Sequence, residues 1–338
     1  MICEELQKNL KDAESAEIAD SYFSAAILYK EALKRARKEQ DSTSIKLCKR
    51  KIVEMNQKTI ASGKDFKQIE TLYEFSDEEN QKLKNYIIRI LQTKDKQSVL
   101  KGIGSDKSFT PVYARVKANT DNSLPLSHII ANLNTISSDG HNIKGGSDGT
   151  YSWFMTNYSI EQTQIVEVIL GKLMYMLVYG NKYGEKLLFK DVKQYFSSSN
   201  HLSKERNQIV SQGIKCYLKK DYVSAIHILV PQFEGFLIDV VKSRGFNTVA
   251  LDNTDLTATR TFTLSERDFD SEFFKNLLGE DFCMQCKFIL FEQMGFRLRH
   301  KIAHGEVHLS ECNFMNTTLI LFLYLAVIAK LGENTTST

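Results

Sequence analysis

The chain has 338 residues, 42% of them hydrophobic and 25% charged, which allows a large core and, at roughly 100 to 200 residues per domain, two domains. Its 44 basic and 41 acidic side chains leave a formal charge of +3. That excludes nucleic-acid binding by bulk electrostatics, so any such contact has to come from a local patch. Only three prolines occur, Pro111, Pro125 and Pro231, and their scarcity removes few backbone donors and favours an all-α fold. The six cysteines, Cys3, Cys48, Cys216, Cys283, Cys286 and Cys312, sit among apolar neighbours, and Met1-Ile2-Cys3-Glu4-Glu5 runs straight into charged sequence without a secretory pattern. Reduced thiols in a cytoplasmic protein are the expectation.

Residues 1–200 are expected to form an N-terminal helical region. From Ala19 to Ala36, the residues Tyr22, Ala25, Ala26, Tyr29, Leu33 and Ala36 recur at spacings of three and four, the period of one helix face. The string from Tyr22 to Leu33 looks like one helix of a tetratricopeptide-type hairpin, expected at 14–62, and Lys220 to Ile226 is a related string. Two strings so far apart do not make a repeat array, which needs about three adjacent units. A protein partner is expected to dock on this N-terminal region. Further helical patterns run over 77–101 and 159–180. Between them, Thr135 to Thr150 contains Asp139-Gly140, Gly145-Gly146 and Asp148-Gly149 and reads as a mobile loop. No Gly-Lys-Ser/Thr ending follows those glycines, so they do not match a phosphate-cradling pattern. The polar tract from Tyr195 to His201 is the expected boundary to a second domain, 201–338.

In that second domain, Ser203 is placed to cap a helix running to about Leu218, Asp221 to start another through Phe233 and Glu234, and Gly245 to stop it. Helical periodicity lapses over 246–268, where alternating threonines between Leu256 and Leu264 suggest a short hairpin or ordered loop. A helical pattern then runs from Phe273 up to a basic stretch, with Gly305 as its left-handed terminator. Ser310 is the expected cap of a last helix over 311–331. The apolar run Leu319 to Ala329 spans about 16 Å as a helix against the ~30 Å of a bilayer core, so it reads as a core helix and no membrane contact is expected. Four principal helices with one insertion make a helical-bundle plan.

The basic stretch runs from Phe296 to Gly305 and holds Arg297, Arg299, His300, Lys301 and His304. Imidazole exchanges protons near neutral pH, and guanidinium offers a fixed fork of donors to phosphate oxygens. Cys283 and Cys286 with His300 and His304 fall within the spacing range of a two-cysteine, two-histidine zinc site. Both cysteines, however, lie in an unbroken helical pattern, and thirteen further helical residues would carry the histidines roughly 20 Å away. No metal and no cofactor are expected.

Arg299-His300-Lys301-Ile302-Ala303-His304 fits the Arg-φ-x-x-x-His motif of the HEPN superfamily, and Ala303-His304-Gly305 resembles a tripeptide frequent there. Residues from about 203 to 331 resemble an uncharacterised HEPN-like C-terminal domain family. The likeness lies in His227-Ile228-Leu229-Val230-Pro231-Gln232-Phe233-Glu234 and in the block from Gly295 to Gly305, with His300 where Asn is commoner. The resemblance implies a HEPN-like four-helix bundle and metal-independent RNA cleavage, in a toxin or anti-phage defence effector. In that chemistry a ribose 2′-OH attacks the adjacent phosphorus, leaving 2′,3′-cyclic phosphate and 5′-OH ends. His304 would act as general base or acid, and Arg299 would hold the phosphate and stabilise the added charge. His300 would orient the site or contact the RNA backbone, Arg297 and Lys301 would contact RNA phosphates, and Glu234 would be either a supporting polar partner or an ordinary surface carboxylate. Five residues apart on a helix, Arg299 and His304 are separated by about 140° around its axis, so one copy makes an incomplete site. The resemblance accordingly implies a homodimer with a composite active site. The alternative is a non-catalytic HEPN-like module that binds RNA or protein.

Overall fold

The computed structural model describes residues 4–63, 75–123, 135–136, 142–143, 149–199, 202–251 and 259–334. The fold is all-α, with two short antiparallel strand pairs, β1 (Thr135–Ile136) with β2 (Asn142–Ile143) and β3 (Val249–Leu251) with β4 (Thr259–Thr261). Asp139-Gly140, Gly145-Gly146, Asp148 and residues 256–258 of the expected loops lie outside the described residues. The chain divides into two compact units, Met1–Glu74 with Pro125–Ser152, and Phe75–Leu124 with Trp153–Thr338.

The first unit is built on α1 (Glu4–Ile18), α2 (Tyr22–Lys38) and α3 (Ser42–Ser62). The tetratricopeptide-like string forms α2, and a third helix, α1, starts before the hairpin expected at 14–62 and packs on α2. Small side chains explain the close packing. Ala25, Ala26, Ala32 and Ala36 of α2 are buried with Tyr29 against Leu6, Ala13, Cys48, Ile52 and Met55. Asp41 ends the turn between α2 and α3, its carboxylate accepting from the N–H groups of Thr43 (3.0 Å) and Ser44 (3.2 Å), two donors that the first turn of α3 leaves without partners.

The second unit contains α4 (Asp77–Gln92), α5 (Lys96–Ser105), α6 (Tyr113–Ser123) and α7 (Gly149–Gln164, from Trp153 onward). A π-helical turn, Ile165–Leu170, joins α7 to α8 (Gly171–Tyr179). After these come α9 (Phe189–Ser198), α10 (Lys204–Leu218) and α11 (Tyr222–Ser243). The unit ends with α12 (Glu272–Leu278), α13 (Glu280–Leu290), α14 (Leu298–His304) and α15 (Phe314–Asn334). The helix expected over 77–101 is interrupted because Asp95 caps a new one, accepting from the N–H groups of Gln97 (3.0 Å) and Ser98 (3.2 Å). Helix α9 packs on both α5 and α10, so the segments on either side of the tract at 195–201 belong to one unit.

The core of this unit forms around α15, in which every residue from Leu319 to Ala329 is buried, against α5, α8 and α11. By length and composition α11 and α15 could each cross a membrane, but they are packed on each other. Tyr324 lies between Phe233 (ring centroids 5.0 Å apart) and Phe236 (5.6 Å) and donates its hydroxyl to the Leu229 carbonyl at 2.9 Å. Ser203 and Asp221 cap α10 and α11 as expected, accepting from Arg206 N–H (3.2 Å) and Ser224 N–H (3.1 Å). Ser310 does not cap the last helix. It lies in a 3-10 turn, Leu309–Glu311, and the Asn313 side chain accepts from Asn316 N–H at 2.9 Å instead.

The long helix expected from Phe273 to the basic stretch is three helices. Gly279 adopts φ 85° between α12 and α13, and α13 ends at Leu290. The chain then folds back so that Phe296 N–H donates to the Phe288 carbonyl at 3.1 Å. A Cβ on Gly295 would come within 2.0 Å of that carbonyl oxygen, so the turn depends on a residue without one.

Candidate functional site

Helix α14 carries most of the basic stretch on seven residues. Arg297 precedes it in a left-handed conformation (φ 55°), and Gly305 closes it at φ 69°, as the sequence led us to expect. Leu298 is fully buried and anchors the helix in the core. So short a helix is marginal alone, and its placement depends on that anchor and on the turn at Gly295.

Arg299 points from α14 to α11. Its Nε donates to Glu234 Oε2 at 2.9 Å and its Nη2 to Oε1 at 3.2 Å, and its guanidinium carbon lies 5.9 Å from the centroid of the Phe291 ring. Glu234 also accepts from Leu264 N–H at 3.2 Å, so one carboxylate ties α14, α11 and the segment after β4 together. This side-on pairing uses two of the five guanidinium hydrogens. The end-on edge, Nη1 and the outer Nη2 hydrogen, takes no part in it, and the side chain remains 24% exposed.

His300 and His304, one turn apart, bring their rings to 4.2 Å between centroids at 43°. His304 is exposed and His300 half-buried. Burial holds the His300 imidazolium pKa below its ordinary value, with the Arg297 charge and His304 adding to the effect while Glu306, 3.9 Å away, opposes it. Two adjacent imidazoles, one of them exposed, are groups of the kind that general acid–base chemistry uses.

The other two cations expected at the site are also paired. Arg297 Nη1 lies 3.7 Å from Glu306 Oε2, and Lys301 forms a close ion pair with Glu311, which also accepts from His308 N–H at 3.0 Å. The three cations Arg297, Arg299 and Lys301 are thus matched by the three carboxylates Glu306, Glu234 and Glu311. With neutral histidines the site carries no net charge from these side chains. Counting cations in the sequence missed this, although Glu306 and Glu311 follow within ten residues of Lys301.

All six expected site residues therefore lie on or against one short helix. Glu234 is brought to Arg299, and His300 to His304. Arg299 faces α11 while His304 is exposed, in keeping with the wide angle between them. The cysteines of the zinc-like spacing sit apart, on α13. Cys283 and Cys286 are buried, and burial pushes the Cys283 thiol up to about 12 and raises that of Cys286 as well. Among the described residues no group of three or more His, Cys, Asp or Glu side chains is arranged to hold a metal ion. His227, in the first resembling block, is exposed on α11 with Nδ1 2.8 Å from the Val223 carbonyl oxygen. Compared with protein-family models, curated proteins and solved structures, the chain matches none.

Proposed function

We propose that the chain is a metal-independent endoribonuclease of HEPN type, a toxin or anti-phage defence effector. The observation that supports this reading is the clamp on Arg299: a guanidinium fixed side-on by Glu234, with its end-on edge unengaged by the pair, on the same short helix as an exposed histidine. In the proposed reaction His304 takes the proton of a ribose 2′-OH as that oxygen attacks the adjacent phosphorus. The P–O5′ bond breaks and the leaving oxygen receives a proton from a second imidazole. Arg299 donates to the non-bridging oxygens as charge builds on them. No metal enters these steps. The second imidazole and the geometry around the phosphate are supplied across a homodimer, because Arg299 and His304 diverge by about 140° within one chain.

Purified protein and end-labelled RNA in EDTA test the reading. Wild type leaves cyclic phosphate ends, while His304→Ala loses about a thousandfold in rate, the usual scale for removing a general acid or base, with an unchanged far-UV spectrum. Undiminished cleavage by His304→Ala ends the mechanism.

The pairing of each site cation with a carboxylate favours a second reading, in which the HEPN-like unit is a non-catalytic module that binds a partner. A folded wild-type protein that binds RNA or protein and never cleaves RNA, at any concentration at which it is a dimer, is the outcome expected from it.

A further inference from the structure

Charge is unevenly distributed along this chain. The segment from Lys30 to Lys51 holds nine lysines and arginines against Glu31, Glu39 and Asp41, an excess of +6 in a chain whose total is +3, so the other residues sum to −3. The fold gathers this excess at one end of the α2–α3 hairpin. Helix α2 ends at Lys38 and α3 begins at Ser42; at 1.5 Å per residue, Lys34 and Lys46 lie at one level, each about 6 Å from the turn, with Lys49 and Arg50 a turn further along.

Some of these charges are used within the unit. Lys34 pairs with Glu31 (2.7 Å), Arg35 with Glu39 (2.8 Å) and Glu5 (3.0 Å), and Lys51 with Glu17 (2.9 Å), while Asp41 caps α3. Arg37, Lys38, Lys46, Lys49 and Arg50 are exposed, and among the described residues no ion pair engages them. Helix stability accounts for the first two, since cations in the last turn of α2 complement its dipole. It does not account for the other three. They lie in the half of α3 nearest its positive N-terminal end, no acidic residue occupies its first turn, and their three- and four-residue spacings set like charges side by side.

We propose that this end of the hairpin is a binding surface for the sugar-phosphate backbone of RNA. Clustered, exposed and unpaired cations gain affinity for a polyanion by releasing its counterions, with no demand on base sequence. The candidate site on α14 cannot supply this attraction, because its own cations are already compensated. The choice of RNA among polyanions rests on the nuclease reading.

The test uses the full chain carrying His304→Ala, so that RNA stays intact, and a fluorescein-labelled single-stranded RNA followed by anisotropy. Lys46→Glu with Lys49→Glu and Arg50→Glu is compared with a control triple, Lys84→Glu with Lys172→Glu and Lys204→Glu, three exposed lysines of the second unit. The hairpin triple should weaken binding by at least about tenfold at low salt and flatten the plot of log K against log [NaCl] by about 2, at ~0.7 per lost phosphate contact, while the control changes neither. Equal losses in both triples, undiminished binding by the hairpin triple, or binding of anionic phospholipid vesicles in place of RNA overturns the proposal. Binding and cleavage fail separately. Wild type that binds through the hairpin but never cuts keeps this surface and ends the nuclease reading, whereas wild type that cuts while the hairpin triple still binds does the reverse.

Discussion

Two stretches of this chain are rich in the same residue types, and the fold treats them in opposite ways. On α14 and its flanks, Arg297, Arg299 and Lys301 each meet a carboxylate, one of them brought from α11. On the α2–α3 hairpin, five exposed cations have no such partner among the described residues. The physics of the two states differs. A guanidinium held by a carboxylate is fixed in direction, but the pair's field falls away within a few ångströms. Unpaired surface cations have little fixed geometry, yet their field reaches about a Debye length, ~8 Å at physiological salt. Holding a phosphate in one orientation and attracting a polyanion are different tasks, and in the functions we propose they fall to different compact units.

The sharpest way to break this contrast is to remove the pairing carboxylate. Glu234→Ala leaves Arg299 without a partner and Leu264 N–H without its acceptor. Breaking a buried pair costs about 3 to 5 kcal/mol, but these side chains retain 24% and 15% of their exposure, so solvent screening brings the expected loss to about 2 kcal/mol in urea unfolding. Glu234→Gln should fall between, because its amide oxygen can still accept from Leu264. The hairpin triple that reverses Lys46, Lys49 and Arg50 should shift stability by no more than about 0.5 kcal/mol, as surface changes outside any pair do. If it costs as much as Glu234→Ala, the cations of the hairpin are structural and the contrast fails.

A smaller effect separates the members of the second pair on α14. Glu311 receives both the Lys301 ammonium and His308 N–H, whereas among the described residues the Lys301 ammonium pairs with Glu311 alone. Glu311→Ala should therefore cost about 1 kcal/mol and Lys301→Ala about half of that. Equal losses would mean that the backbone donor at His308 finds water at no cost and that the ion pair alone holds the turn.

Much of the second unit could be read from the sequence because its signals are local. Leu319 to Ala329 is apolar around its whole circumference, which a helix permits only when it is buried on all sides, and Ser203, Asp221 and Gly305 mark helix ends by capping chemistry that needs no tertiary partner. The breaks between α12, α13 and α14 were not legible. The break before α13 turns on Gly279 at φ 85° and the one before α14 on how closely Gly295 approaches the Phe288 carbonyl, and the apolar period of the segment continues straight through both. Glu234 could be singled out only through the resembling block, since nothing local ties it to Arg299, 65 residues away. The hairpin charge was hidden by averaging. A total of +3 conceals +6 in one place, and a charge count over a window of some twenty residues would have exposed it. Whether a cation is compensated, by contrast, is decided by side chains distant in sequence and is visible only in the fold.

The smallest expected effect concerns His300, where the two sides of the contrast meet on one ring. Burial, the Arg297 charge and His304 disfavour its imidazolium, while Glu306 at 3.9 Å favours it; the balance holds its pKa below the ordinary 6.5. The folded state thus binds this proton less readily than the unfolded chain does. The resulting stabilisation is fully present above pH 6.5 and is lost as pH falls through the folded pKa, so stability should rise with pH across that interval. Ring-proton NMR should give a His300 midpoint below 6.5. Arg297→Ala should move it up by removing a neighbouring cation, and Glu306→Gln should move it further down by removing the only opposing charge among its named neighbours. In His300→Asn the corresponding slope in stability should vanish. A wild-type midpoint above 6.5 would mean that the Glu306 carboxylate governs this end of α14.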